Sequence, residues 1–419
     1  MSKFITLKNG IQLQIINDTK FKTSAISVNF IKKLDKSTAT INALLPYVLK
    51  RGCKEFPDTM ELNRYLDELY GSKISCNVTK SGDNQIISLT GVTVSDIYAQ
   101  KQKPFNKLAK LIYEIIYNPY LCDGEFNSVY VEREKENMKL FIEGIKNDKR
   151  EYARKRVVEE MFDNSVYGLY AYGDTDTLAK ITSNDLIKYY KNVFLSTIAN
   201  IVVTGAVDED EIANTISALF ENVNTSNDYT NIYAVSSRNE EKTVIEPSEV
   251  NQSKLAIGYI TEITRNHPNY FGMLLFDNLF GGSVHSKLFL NVREKLSLAY
   301  YAASRYNSYK GYLLVDSGIE TKNYEKAKSE IEKQLNEMKS GNFSDKDIEY
   351  TKLALINNYK SAKDSLSALL NYYSTSILVD NFMEIDEAIE KIKNTTKADI
   401  TAAAQTVEID TIYLLKGRD

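Results

Sequence analysis

The sequence predicts an α+β fold made of two duplicated halves, each a mainly antiparallel sheet packed by helices. Segments in which apolar and polar residues alternate with period two occur in both parts of the chain. Amphipathic helical segments follow them in pairs, and the order of strand, helix pair, antiparallel strands and helix pair appears twice. The chain has 419 residues, which is enough for each half to bury its own core.

Local signals define the elements of a first half over residues 1–221. Asn9-Gly10 predicts a hairpin, because this dipeptide favours the tight turn between two paired strands. Further strands are predicted at 24–31, 73–80, 84–94 and 200–206. Helices are predicted at 58–70, at 106–119, from Asp123 to 145, and at 209–220.

A polar, aperiodic stretch at 222–250 is interpreted as a linker and first strand region before a second half at 251–419. This half repeats the pattern with strands at 253–263, 298–306, 312–319 and 411–417, and with helices at 268–280 and from His285. Two further helices precede the closing strand. Ser344 and Asp347 have the spacing of a capping box at the start of the second one.

Composition and charge exclude several classes of function. With 52 basic and 56 acidic residues and a net charge of −4, the chain lacks the basic surface that nucleic acids or anionic lipids require. No apolar run approaches the ~18 residues of a membrane span. The 3 cysteines are widely spread, which argues against a disulfide framework. We therefore expect a cytoplasmic protein with no nucleic-acid or membrane partner.

The segment 41–52, INALLPYVLKRG, is helical in pattern but contains Pro46. An interior proline removes one backbone hydrogen bond and costs roughly 3 kcal/mol. Either the helix begins later than its apolar spacing suggests, or this position once held a residue with a different task.

Histidine is scarce, and this restricts the available chemistry. The chain has 2 histidines, His267 and His285, which are too far apart to bind one zinc ion from a single helical turn. A Cys-His dyad has no supporting local signature, and no phosphate-binding loop is present. We therefore expect no metal or nucleotide cofactor in this chain.

The segment FGGSVHSKLFLNVREKLSLAYYAAS carries the clearest functional signal. Gly281 and Gly282 would allow another backbone to approach closely. Arg293 and Tyr300 could converge across a turn, and both side chains can donate to a peptide carbonyl or to the oxyanion formed from it. The alternative is that Arg293 pairs with a surface carboxylate and Tyr300 packs on its strand, and spacing alone favours this alternative.

This segment resembles the GGxxxSRLFxxxREKxxLAY motif in the second half of the insulinase/pitrilysin family of zinc peptidases, the inverzincins. The similarity in organisation covers nearly the whole chain. When Arg51-Gly52 is aligned with the end of the family's HxxEH zinc helix, Ala43 and Tyr47 take the positions of the two histidines and Pro46 that of the catalytic glutamate. The resemblance thus implies a degenerate zinc helix. The family's third zinc ligand is a glutamate on a later helix, where Glu134, Glu136 and Glu143 are expected to form a solvated face, and none of them is assigned that role.

Members of this family that lack the zinc helix commonly pair with a partner that keeps it. The resemblance therefore implies a noncatalytic, substrate-binding subunit of a heterodimeric zinc metalloendopeptidase, with zinc held by an HxxEH-bearing partner and with a peptide or unfolded segment as substrate. It makes Arg293 and Tyr300 the substrate-binding and transition-state pair, and Gly281 with Gly282 a shortened substrate loop. The alternative is a structural, scaffold or peptide-binding protein of the same fold with no role in proteolysis.

Overall fold

A computed structural model describes residues 2–99, 102–226, 228–230, 232 and 240–418. The chain forms two compact units. Unit 1 consists of Met1–Glu143, Leu169–Thr230 and Ala362–Leu378, and unit 2 consists of Gly144–Gly168, Asn231–Ser361 and Val379–Asp419. No helix in the described ranges is both long and apolar enough to cross a bilayer.

Unit 1 is built on a six-stranded sheet. Its strands are β1 (Ser2–Thr6), β2 (Gln12–Asn17), β3 (Thr23–Lys33), β4 (Lys73–Ser81), β5 (Asn84–Val94) and β8 (Ile198–Gly205), and their order in the sheet is β1-β2-β8-β3-β5-β4. A short hairpin of β6 (Leu121–Cys122) and β7 (Glu125–Phe126) lies outside it. The predicted hairpin at Asn9-Gly10 is the β1–β2 turn.

Helices cover one apolar face of this sheet. They include α1 (Ala39–Leu49), α2 (Thr59–Glu68), α3 (Pro104–Tyr117), α4 (Ser128–Gly144), α6 (Thr175–Lys180), α7 (Ser183–Asn192) and α8 (Glu209–Phe220). Residues of alternate strand positions, such as Val28 and Phe30, meet Leu44 and Ile112 in one continuous core. This packing follows from the period-two pattern of the strands and the amphipathic pattern of the helices.

Unit 2 has a five-stranded sheet with the order β11-β12-β10-β13-β9. Its strands are β9 (Lys242–Pro247), β10 (Ser253–Ile260), β11 (Ala299–Asn307), β12 (Tyr312–Ile319) and β13 (Glu408–Lys416). Its helices are α5 (Lys149–Met161), α9 (Tyr270–Asp277), α10 (Tyr324–Lys339), α11 (Asp345–Lys363), α13 (Ile385–Asn394) and α14 (Lys397–Gln405). Two π-helical segments, Asn278–Gly282 and Phe289–Lys295, lie between α9 and β11. The predicted capping box joins Ser344 and Asp347 at the start of α11.

The two sheets share one topology, which confirms the predicted α+β class. In unit 1, β2 pairs in parallel with β8, followed across the sheet by antiparallel β3, β5 and β4. In unit 2, β9 pairs in parallel with β13, followed by antiparallel β10, β12 and β11. The corresponding strands occur in the same order along the chain, and β1 is the one addition to the first sheet.

Each unit also contains a helix that comes from the other half of the chain. Helix α5, from the first half, belongs to unit 2, because Ala153, Val157 and Met161 pack with Ala256 of β10 and Tyr413 of β13. Helix α12 (Leu366–Ser374), from the second half, belongs to unit 1. Three side-chain hydrogen bonds hold the α12 segment to the polar face of the first sheet: Gln14 to Ser376 Oγ (2.5 Å), Asn29 to Ser374 Oγ (3.1 Å) and Asn200 to the Ser374 carbonyl (3.1 Å).

Several sequence-based boundaries need correction. The helix predicted from Asp123 begins at Ser128, because Asp123 and Gly124 form the turn of the β6–β7 hairpin with φ angles of 51° and 84°. Asp-Gly is a favoured pair for such a turn. The stretch 222–250, interpreted as a linker and first strand region, does contain a strand, β9. Residues 227, 231 and 233–239 of this stretch lie outside the described residues. Helices α12 to α14 were not predicted.

Candidate functional site

Helix α1 contains the three positions aligned with the zinc helix. The helix begins at Ala39 and runs through Pro46 without a break. The proline therefore lies inside the helix and does not mark its start. Ala43 and Pro46 are buried, and Tyr47 is half-buried. The Tyr47 hydroxyl lies 3.1 Å from that of Tyr172, and burial followed by this hydrogen bond raises the pKa of Tyr47 well above its ordinary value.

Glu134 on α4 faces the end of α1, which corrects the expectation that the acids of this helix form a solvated face. Its carboxylate accepts from Arg51, with 2.5 Å between Arg51 Nε and Glu134 Oε1, and only 8% of the residue is exposed. Glu136 and Glu143 are exposed, as expected. Glu134 is buried because it lies on the apolar side of α4 with Val131 and Met138, at helical spacing.

The residues around α1 do not fit a zinc ion. Zinc requires imidazole, thiolate or carboxylate ligands in a tetrahedral arrangement, and Ala43 and Pro46 offer no ligand atom. A guanidinium, Arg51, occupies one side of the nearby Glu134 carboxylate. Over the residues that the structure describes, no group of three or more His, Cys, Asp or Glu side chains could hold a metal.

The glycine pair ends the π-helical segment that follows α9. Gly281 is buried, and a Cβ atom added there would overlap the backbone nitrogen and the side chain of Ser304 on β11. Gly282 is exposed, and an added Cβ would lie 3.2 Å from the Asp277 carbonyl oxygen. The close approach predicted for this pair therefore involves the chain's own strand at Gly281, whereas Gly282 faces solvent.

Arg293 lies in the second π-helical segment and projects into solvent. Its side chain is 43% exposed, its Nε is 3.5 Å from Glu294, and its guanidinium is 4.6 Å from the centre of the Phe289 ring. A contact of this length to an exposed carboxylate contributes little. The guanidinium therefore keeps most of its donors for solvent or for a ligand, in a helical irregularity of a kind that is frequent at functional sites.

Tyr300 occupies a β-bulge at the start of β11. Ala299 pairs with Ile319 and Tyr301 pairs with Gly318, so Tyr300 is the extra residue. A bulge re-aims the side chain that it carries, and Tyr300 is 55% exposed. In the described part of the chain, the contacts of Arg293 are with Glu294 and Phe289 and not with Tyr300.

Sequence reasoning missed Asp277, which lies beneath this region. Its carboxylate accepts a hydrogen bond of 2.6 Å from Ser304 Oγ, the side chain against which Gly281 packs. Burial raises the pKa of Asp277 to about 6, and the Ser304 hydrogen bond opposes part of that rise. The signal was available, because Asp277 is the one acidic residue in the apolar run YFGMLLFDNLF.

Comparison with known proteins identifies relatives in the family that the sequence motif resembles. Residues 180–355 match the family model described as "Peptidase M16 inactive domain". The chain is 36% identical to the "Probable inactive metalloprotease YmfF" of Bacillus subtilis (strain 168), over 98% of this chain and 96% of that protein. It is 21% identical to the "Uncharacterized zinc protease YmxG" of the same organism, over 94% and 92% of the two chains.

The fold has a solved counterpart. The crystal structure of a conserved protein from Enterococcus faecalis V583 matches with a TM-score of 0.91 and 30% identity, covering 100% of this chain and 99% of the other. The similarity of sequence and structure spans essentially the whole chain, and the zinc-helix positions carry no ligands. The chain therefore belongs to the pitrilysin-type M16 peptidase family, as an inactive homologue.

Proposed function

We propose that this chain is the noncatalytic, substrate-binding subunit of a heterodimeric zinc metalloendopeptidase. In this proposal an HxxEH-bearing paralogue holds the zinc, and this chain supplies Arg293 and Tyr300 to the partner's active site. The substrate is a peptide or an unfolded segment, and Gly282, with the buried Gly281 behind it, borders the path of that segment. Residues 1–221 and 251–419 are then two copies of one ancestral unit, joined through 222–250.

One observation carries the proposal. A chain whose own zinc positions hold Ala43, Pro46 and Tyr47 nevertheless presents an arginine and a tyrosine to solvent, each on a backbone irregularity. An exposed guanidinium without a strong ion pair and an exposed phenol are suitable donors for the carbonyl oxygen of a peptide and for the negative charge that develops on it during hydrolysis. These donors would act only beside a nucleophile that another chain provides.

The three cysteines, Cys53, Cys76 and Cys122, are free thiols, which suits a reducing compartment. We place the proposed complex in the cytoplasm. The existence in one organism of relatives named as an inactive metalloprotease and as a zinc protease supports a pairing between two members of this family.

The test is reconstitution. The tagged chain is isolated from its own host, and the bound proteins are identified by mass spectrometry. An HxxEH-bearing relative recovered in equal amount is then purified with and without this chain, and cleavage of a quenched fluorescent peptide library is measured. We expect cleavage to require both chains and to be lost with a zinc chelator. Full activity of the relative alone would contradict the proposal and favour a scaffold.

A further inference from the structure

A second group of polar side chains in unit 2 lies around Tyr301, next in sequence to Tyr300. Lys254 of β10 and Tyr301 of β11 both pair with Gly318 of β12, so the three residues form one row across the sheet. A Cβ atom at Gly318 would lie 2.5 Å from Tyr301 Cε1. The missing side chain therefore lets the Tyr301 ring lie across the middle strand, between β11 and Lys254.

Two cations contact this ring. The Arg150 guanidinium is 4.0 Å from the centre of the Tyr301 ring, and the Lys254 ammonium is 5.8 Å from it. Both distances are within the range of cation–π attraction. Arg150 lies in the first turn of α5 and remains 36% exposed, so the group is open to solvent on that side.

The nearby acids are already engaged. Asp316, which is 3% exposed, accepts from Arg150 Nε at 2.5 Å and from Arg154 at 2.8 Å. Glu151 pairs with Arg154. Asp148 caps helix α5 by accepting two backbone N–H groups. The three cations, Lys254, Arg150 and Arg154, are thus matched in number by three acids. None of these acids makes a short contact with Lys254.

Donors are left without acceptors as a result. Across the described residues, the Lys254 ammonium makes no ion pair or hydrogen bond, and the buried Tyr301 hydroxyl has no hydrogen-bond partner. Burial, followed by the charge of Arg150, lowers the pKa of Lys254, so the attraction of Asp148 does not compensate for its lost hydration. A buried donor without a partner is costly, and an ammonium beside a guanidinium gains most from an anionic acceptor.

We propose that Lys254, Arg150 and the Tyr301 hydroxyl form a binding site for a carboxylate group of a peptide. Lys254 provides a point charge, Arg150 is held against the ring by its bond to the buried Asp316, and Tyr301 supplies a neutral donor. Tyr301 is next to Tyr300 at the bulge of β11, so the proposal extends to a peptide that contacts Tyr300 and places a neighbouring acidic side chain, or its own C-terminus, at this site. The proposal thus adds a preference for acidic peptides to the proposed function. The carboxylate site itself does not rest on that function, and only the identity of its natural ligand does.

Competitive labelling of the isolated chain tests this site. The rate at which acetic anhydride acetylates Lys254 is followed by mass spectrometry, with N-acetyl-glutamic acid α-amide as the probe and N-acetyl-glutamine α-amide as the neutral control at equal ionic strength. A bound carboxylate that raises the pKa of Lys254 by about one unit slows labelling about tenfold. Exposed Lys326 on α10 serves as the reference lysine. N-acetyl-glutamine with a free carboxylate distinguishes a C-terminal from a side-chain source.

We expect protection of Lys254 but not of Lys326 by at least one carboxylate probe, none by the neutral amide, and weaker protection in Tyr301→Phe, which keeps the ring. Equal effects of the acidic and neutral amides, or equal effects at both lysines, would overturn the proposal. The labelling experiment uses the isolated chain without a partner. A negative result would therefore overturn the carboxylate site and leave the proposed heterodimeric peptidase untouched.

Discussion

The Arg51 guanidinium at the end of α1 donates to the buried Glu134 carboxylate of α4, with 2.5 Å between Nε and Oε1. This ion pair joins α4 to the residues that directly follow α1, the helix that the resemblance aligns with the zinc helix. The side chain of Glu134 is 10% exposed and that of Arg51 is 23% exposed, so solvent screens the pair only in part. The pair therefore links α1 to α4 in a chain whose α1 has no metal ligands at its zinc positions.

Breaking this pair should destabilise unit 1. Arg51→Met leaves Glu134 buried and unpaired, and we expect a loss of about 2 to 4 kcal/mol in the free energy of unfolding, measured by urea denaturation. The double variant Arg51→Met with Glu134→Leu should recover much of this loss, because no buried charge remains. Lys139→Met, which removes an exposed pair of 3.9 Å on the same helix, is the control and should change stability by less than about 0.5 kcal/mol. Equal effects of Arg51→Met and Lys139→Met would contradict the assigned role.

The two neighbouring glycines should differ in their tolerance of a side chain. Gly281→Ala forces a methyl group into the Ser304 backbone, and we expect it to cost about 2 to 3 kcal/mol by overpacking. Gly282→Ala meets its first neighbour at 3.2 Å and should cost less than about 1 kcal/mol. Thermal unfolding of the two variants beside the unchanged protein measures the difference, and a larger loss for Gly282→Ala would show that the segment packs differently.

Asp277 should make stability depend on pH in the direction opposite to an ordinary paired carboxylate. Burial raises its pKa to about 6 in the folded protein, above the unfolded value of about 3.9. The folded state therefore binds this proton more tightly, and the resulting stabilisation is present below about pH 4 and is lost as the pH rises through about 6. Relative to Asp277→Asn, the unchanged protein should lose about 2 kcal/mol in unfolding free energy between pH 4 and pH 8. A constant difference between the two proteins over this range would contradict the assignment.

Tyr300 should matter through its hydroxyl group. In the reconstituted complex, Tyr300→Phe keeps the ring and removes one donor, and we expect kcat/KM to fall about tenfold with no change in thermal stability. Tyr350→Phe removes a hydroxyl from a residue of α11 that is 49% exposed and is the matched control. If both variants retain full activity, Tyr300 has no role as a donor.

Much of the fold could be predicted from sequence because its elements are locally encoded. Alternation predicts most strands of both sheets, Asn9-Gly10 predicts the first hairpin, and Ser344 with Asp347 predicts the start of α11. The exception in the second sheet is β9, which lies in a stretch without such alternation. Helix α5 could not be assigned to unit 2 in this way. Its membership depends on the contacts of Val157 and Met161 with strands far away in the chain, and no local pattern encodes such contacts.

In the candidate site, too, the residues could be predicted from local sequence but their backbone geometry could not. Arg293 and Tyr300 could be selected from a contiguous motif, but the β-bulge at Tyr300 depends on the pairing of β11 with β12. The motif does not encode the π-helical form of the segment that carries Arg293. The sequence predicts a solvated Glu134 because the zinc-binding histidines are absent and leave this carboxylate no metal to bind, although its spacing from Val131 and Met138 places it on the buried side of α4. The turn at Asp123-Gly124 was missed although its dipeptide is a hairpin signal, because the following helical pattern was extended backwards over it.

The most direct test of the central claim is the kcat/KM of the reconstituted complex when Arg293 is changed to alanine. The Arg293 side chain is 43% exposed, and its contacts are a 3.5 Å approach to Glu294 and a cation–π contact with Phe289. Its removal should therefore change the stability of the chain by less than about 1 kcal/mol and leave its binding to the partner unchanged. We predict a fall in kcat/KM of about 10²-fold, as for a lost oxyanion donor, with less than twofold change in the neighbouring control Lys295→Ala. Unchanged peptide turnover by an intact complex containing Arg293→Ala would contradict the account.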